Sequence, residues 1–196
     1  MARNKGSVGG CLYGVGITDM STKVDGKSTP AYTAWFSMLR RVYGKLELVR
    51  NPTYVGCSVD ATWLRFSVFK RWFDSNSVHG YHLDKDLLVD GNKVYGPKTC
   101  CFVPHALNCL FTDSGAARGK YPIGVSRYRD GTFHAQLSKH KQVFHLGYFE
   151  SVSKAHDAWL SAKKAHVRVY AKELYAAGLI PSKVYRAVLR KGKALK

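Results

Sequence analysis

"IGVSRYRDGTFHAQLSKHKQVFHLGYF", residues 123–149, alternates apolar and polar side chains through three short runs broken by Asp-Gly and Lys-His-Lys. A period of two is that of a pleated strand, whose successive side chains point to opposite faces. In the second run Phe133, Ala135 and Leu137 fall on one face, with Thr132, His134, Gln136 and Ser138 on the other. In the third, Phe144 and Leu146 are expected to face the core, leaving Val143 and His145 outside. Ser151 then opens a long helical run that ends before Gly178 and Pro181. Its apolar stripe, Ala155, Ala158, Trp159, Ala162 and Val169, is rich in small residues that allow close approach to a sheet. Residues 121–177 are therefore expected to form a three-stranded antiparallel sheet packed on one long helix.

Working outward, "TDSGAARGK" (112–120) has the composition of a linker, and residues 178–196 read as a basic tail with six Lys/Arg and no acid from 182 onward. Upstream, residues 31–111 begin with helical patterning. Thr29 suits a cap, Pro30 a first turn and Gly44 a stop, around the stripe Trp35, Met38, Leu39 and Val42. A second helix is expected from about Asp60, as its cap, to Phe73, with Trp63, Phe66, Phe69 and Phe73 inward. Residues 81–104 read as strand, loop and strand, followed by a short helix "PHALNCLF". Residues 1–30 lack periodicity and are expected to be a loosely packed arm. "GKST" at 26–29 is no phosphate-binding loop, because the first glycine of that motif would fall on Ser21 and no apolar strand precedes it. The fold class is α+β.

The formal charge is +18 over 196 residues, and residues 111–196 hold 17 Lys/Arg against 5 Asp/Glu. Such a balance points to phosphate, and so to nucleic acid. No apolar run reaches the ~20 residues of a membrane span, and the start shows no leader pattern, so an intracellular, cytoplasmic protein with no membrane partner is expected. Five cysteines with no Cys-x-x-Cys spacing argue against a zinc ribbon and against a disulfide-linked partner.

Residues 81–108 carry Asp84-Lys85, Gly91-Asn92, Pro97 with Cys100, "FVP" and Asn108. In this outline the stretch resembles the HNH (ββα-metal) endonucleases of phage homing-endonuclease type, and the aromatic helical segment before it resembles the one that precedes the motif in phage members. The resemblance implies an N-terminal helical segment with a ββα-metal motif and one divalent ion, Mg²⁺ or Mn²⁺, held by Asp84 and Asn108; no zinc is expected. It implies that Asn92 fixes the loop or the base. The family's general-base position falls on Lys85, a poor base at neutral pH beside Asp84 and Asp86. His82 and His105 are the nearby histidines that could replace it. Weak or lost cleavage is the expectation, with Lys85 holding the DNA backbone.

Residues 121–172 resemble the APETALA-type (ethylene-response-factor) DNA-binding domain through "IGVSRYR", "GTFHAQL", "VFHLGYF" and the helix with Ala155, Ala158 and Trp159. That family lays a three-stranded sheet in the major groove of duplex DNA. Carried over, base contacts fall on Ser126, Tyr128, Gln136, Ser138 and His145, with His134 on the same outward face, and phosphate contacts on Arg127, Arg129, Lys139 and Lys141. Together the two resemblances imply a double-stranded DNA-binding protein of phage HNH descent, acting in the host cytoplasm if phage-encoded. Two other readings stay open: an active metal-dependent endonuclease that nicks or cuts duplex DNA, and a virion or scaffold protein that binds DNA without sequence preference.

Overall fold

A computed structural model describes residues 9–112, 119–139 and 142–196. The chain divides into two compact units, Met1–His105 and Ala106–Lys196. It is mixed α and β, and no described helix is long and apolar enough to cross a membrane.

The first unit begins with two small hairpins, β1 (Cys11–Leu12) with β2 (Gly16–Ile17) and β3 (Lys23–Val24) with β4 (Lys27–Ser28). The expectation of a loose arm fails for residues 9–30. Asp19 accepts hydrogen bonds from the Ser67 amide (2.9 Å) and hydroxyl (2.6 Å), and it pairs with Arg65 at 3.3 Å. Burial alone would raise this carboxyl, but the two bonds from Ser67 and the Arg65 guanidinium bring it below its ordinary value. Thr18 and Thr22 beside it in sequence are buried, and Asp19 itself is half-buried. Polar tethers hold this segment, and a search for apolar periodicity does not see them.

Helix α1 (Pro30–Tyr43) starts where its capping residues predict, with the Thr29 hydroxyl accepting from the Tyr32 amide at 3.2 Å. It leads into α2 (Lys45–Arg50) and β5 (Ser58–Val59). Asp60 is a cap, as expected, but of a 3₁₀ turn over Ala61–Leu64; α3 proper spans Phe66–Asn76. The core joins Trp35, Met38, Leu39 and Val42 to Trp63, Phe66 and Phe69, all buried. Burying one such side chain contributes on the order of 2–3 kcal/mol. The Trp35 indole N–H reaches the Trp63 carbonyl at 2.7 Å, which satisfies a polar group in the centre of that core.

Strand β6 (Tyr81–Asp84) pairs antiparallel with β8 (Cys101–Pro104), in the register Tyr81–Pro104 to Asp84–Cys101. Between them, β7 (Val94–Tyr95) pairs parallel with β5. Phe102 of β8 stacks on Trp72 and meets Phe73 edge-on, so α3 carries the hairpin. Helix α4 (His105–Cys109) follows and is only five residues long.

In the second unit β9 (Val125–Arg127), β10 (Phe133–Lys139) and β11 (Gln142–Phe149) form an antiparallel sheet with β10 central. Helix α5 (Val152–Ala176), capped by the Ser151 hydroxyl, lies on the face that holds Ala135 and Leu137. Its seat is Gly124, whose backbone takes φ +80° and packs so tightly on Trp159 that a Cβ there would stand 1.9 Å from the indole. Residues 178–196 are not a tail. After Gly178 closes α5, Ile180 is buried and α6 (Ser182–Lys193) packs back on α5 through Val184, Ala187, Val188 and Gly192. This second cover explains why Val169 is exposed (54%), against expectation. Beyond Ala162 the buried face passes to Val167, Ala171 and Leu174.

Gly124→Ala should destabilise the second unit by about 3 kcal/mol or more, since it adds a clash with Trp159 to left-handed strain. Gly178→Ala, at φ +69° with open space around its Cβ, should cost only about 1–2 kcal/mol. Urea unfolding of the two variants checks the difference.

Candidate nucleic-acid interface

Two regions hold the residues singled out from sequence, one in each unit. In the first, the β6–β8 loop folds around two side chains. Asp84 ends β6, and its Oδ1 accepts from the amides of Asp86 (2.8 Å) and Leu87 (2.7 Å), which turns the chain. Asn92 donates its amide to the carbonyls of Lys85 and Val94, both at 2.7 Å, and accepts from the Val94 amide at 3.2 Å. Asn92 thus ties the loop shut.

Lys85 is buried, 6% exposed. Its ammonium donates to the Asp86 carboxylate and, at 3.4 Å, to the Asn92 carbonyl, and it lies 5.7 Å from the centre of the Tyr95 ring. The expectation that Lys85 holds DNA backbone is corrected here, because a buried ammonium spent on its own loop offers nothing to an outside phosphate. The groups beneath the loop are desolvated: burial pushes the Tyr95 phenol up, and the Cys100 thiol up to about 12.

His82 and His105 come together, with ring centroids 4.6 Å apart and both side chains exposed. Asp84 shares the His82 face of β6, while Asn108 lies on α4 beyond the division between the units. Among the described residues no group of three or more His, Cys, Asp or Glu side chains is arranged to hold a metal ion. The two amide bonds to Asp84 Oδ1 fix the orientation of its carboxylate. Among the described residues the divalent-ion site that the HNH outline implies thus has one carboxylate, Asp84, with no cluster of further acidic, imidazole or thiol ligands around it.

In the second unit the helix-free face of the sheet collects Ser126, His134, Gln136, Ser138, Val143, His145 and Tyr148, as the pairing register places them. Tyr128 joins them, with its ring 4.8 Å from that of Tyr148. His134, His145 and Tyr148 form one aromatic cluster, with centroids 4.5–5.2 Å apart. No strand of this sheet carries an acid. The β9–β10 turn carries exposed Arg129 and Asp130; the Thr132 hydroxyl and amide hold the Asp130 carboxyl below its usual value.

Tyr148 was not expected on this face. Simple alternation from His145 turns it inward, but Ala135 pairs with Gly147 and Gln136 with His145, so Leu146 is left over as a β-bulge. The signal was Gly147, which takes φ +131° beside the extra residue. The bulge also explains Leu146, half-buried where core was expected. Phe144 keeps the inner parity opposite Leu137 but remains 38% exposed, with the Lys139 ammonium 4.1 Å above its ring.

The cations are distributed differently from expectation. Arg127 pairs with Phe133, and Lys139 lies two residues beyond Leu137, so both have helix-side parity and do not belong to the helix-free face. Lys141 lies outside the described residues.

Comparison with protein-family models, with curated proteins and with solved structures returned no match.

Asn92→Ala should lower the stability of the first unit by about 2 kcal/mol, since it removes three hydrogen bonds and leaves the Lys85 carbonyl without its donor, while the Val94 carbonyl keeps the Thr99 hydroxyl at 2.7 Å. Lys85→Met, by contrast, should leave the salt dependence of nucleic-acid affinity unchanged. A phosphate-bound lysine would flatten that dependence by about one unit of slope.

Proposed function

We propose that the protein binds double-stranded DNA through the helix-free face of β9, β10 and β11, and that occupancy of DNA, not its cleavage, is its activity. The observation that carries this reading is a solvent-facing sheet of aromatic, imidazole, amide and hydroxyl groups with no acid on its strands. It lies in a stretch, residues 111–196, with a net charge of +12. A sheet covered on one side by α5 needs no such surface for its own stability.

A two- or three-stranded β-surface fits the major groove, where each base pair shows a distinct set of donors and acceptors. Gln136, exposed at the centre of the face, has the amide geometry that pairs with adenine N6 and N7. Arg129 in the β9–β10 turn is the exposed cation best placed to set register by a phosphate contact, which positions without specifying. The resemblance to the APETALA-type domain supports the same face. The HNH-like outline supports descent from a DNA-handling lineage, with its β6–β8 hairpin retained as structure.

Fluorescence anisotropy with duplex and single-stranded oligonucleotides tests this reading. Duplex binding should weaken steeply with salt, and Arg129→Ala should reduce the slope by about one. Gln136→Ala should relax sequence preference at one position, by about 1–3 kcal/mol of discrimination. A clear preference for single strands would transfer the face to base stacking and overturn the duplex reading. Nicking of supercoiled plasmid that requires Mg²⁺ or Mn²⁺ and disappears in Asp84→Ala would overturn occupancy as the sole activity.

A further inference from the structure

We propose that His134 and His145 read DNA as one hydrogen-bonded pair, presenting one donor and one acceptor when neutral and two donors once protonated, so that the preferred base step changes with pH. This rests on the sheet-face reading above and assigns specificity within that face.

The pair is built by the bulge. His134 sits opposite Tyr148 and His145 opposite Gln136, and the extra residue, Leu146, brings the two imidazoles diagonally together across the strands. Their rings lie 4.5 Å apart with planes 36° from parallel, and Nε2 of His134 is hydrogen-bonded to Nδ1 of His145. Two bare nitrogens in that contact would repel, as would two N–H groups, so a single proton lies between them. A neutral imidazole has one N–H and one bare nitrogen. Whichever ring donates inward therefore keeps a bare nitrogen on its outer side, and the accepting ring keeps an N–H there. The outer atoms are His134 Nδ1 and His145 Nε2, and neither has a hydrogen-bond partner among the described residues. Both tautomers give the same result: one donor and one acceptor.

The first added proton goes to the bare outer nitrogen, because that site leaves the inner bond intact. Both outer atoms are then donors. A second proton would set two N–H groups face to face and break the bond. Burial, and then the charge of His145, hold the His134 imidazole below its ordinary value, in keeping with a reluctant second step.

The titratable neighbours on this face are Tyr128 from the end of β9, Tyr148 from β11 and Asp130, which acts on Tyr148 from the β9–β10 turn. Ser126, Gln136 and Ser138 are uncharged. Lys139 is drawn to Phe144, and α5 packs on the opposite face. Among the described residues no Lys, Arg or carboxylate forms an ion pair with either ring.

The outer nitrogens belong to two separate rings, so each is assigned its own base edge, on neighbouring base pairs. The neutral pair then fits a step that offers one amino group, adenine N6 or cytosine N4, beside one acceptor. The protonated pair loses its acceptor and fits two acceptor edges, such as guanine O6 or N7 and thymine O4.

The test is selection by the full-length protein from a randomised duplex pool at about pH 8 and about pH 5.5, on either side of the ordinary imidazole range. A supporting result is a preference for an amino-bearing base at one position at the higher pH, falling about tenfold at the lower, with His134→Gln abolishing the pH dependence. The same preference at both pH values overturns the pairing while leaving DNA binding in place. Failure to retain duplex at either pH overturns the sheet-face reading and this inference with it. A ¹⁵N NMR titration without DNA provides a second check. The pair should take up its two protons in steps more than about one pH unit apart, and two rings titrating independently at one value would refute it.

Discussion

The second unit depends on one close approach, that of the Trp159 indole to the backbone at Gly124. A helix rich in alanine can lie low on a sheet only where the sheet presents nothing taller than a glycine, and here the glycine stands at the mouth of β9. The contact sets the height of α5 over the sheet, and Ala155 of the helix and Ala135 and Leu137 of β10 are all buried as the two elements pack. The Gly124 carbonyl also receives the Gln136 amide at 2.9 Å, so the residue beneath the tryptophan helps to hold the centre of the outward face. Core and candidate surface thus meet at one residue, with packing on one side and presentation on the other.

In the first unit the polar residues between β6 and β8 are spent on the loop itself. Asp84, Lys85 and Asn92 are the polar side chains around which a long loop closes, and each has an intramolecular partner at short range. Closing such a loop costs conformational entropy, and backbone carbonyls inside it must find donors. Asn92 supplies two of those donors and Lys85 a third. Polar residues that look chemical in sequence are here the internal framework of a turn.

Much of the architecture was legible because it follows from short-range rules. The caps Thr29 and Ser151, the stripe Trp35–Val42 and the alternation in Phe133–Leu137 each depend on residues within a few positions of one another. What stayed hidden depends on distant partners or on parity. Asp19 needed Ser67, 48 residues away, to reveal that the early segment is anchored. Periodicity alone puts Val169 on the core stripe, whereas packing of α6 moves the buried face to Val167, Ala171 and Leu174; charge alone puts Lys85 outside, since it says nothing about a loop folding over it. On the candidate face, Gln136 and His145 were legible from alternation, but Tyr148 was not. A bulge adds one residue without changing composition, and only the glycine beside it marks the place.

That bulge has a consequence for how the hairpin tolerates insertion and deletion. Leu146 is the residue of β11 that pairs with nothing, so removing it would leave Phe149, Tyr148, Gly147, His145 and Phe144 opposite their present partners. Loss of a residue elsewhere in the strand would invert all that follows it, turning the aromatic face inward and the apolar one to water. Leu146 is therefore the position at which the strand can lose a residue and keep both faces, the regular hairpin and the bulged one presenting the same side chains to the helix and to solvent.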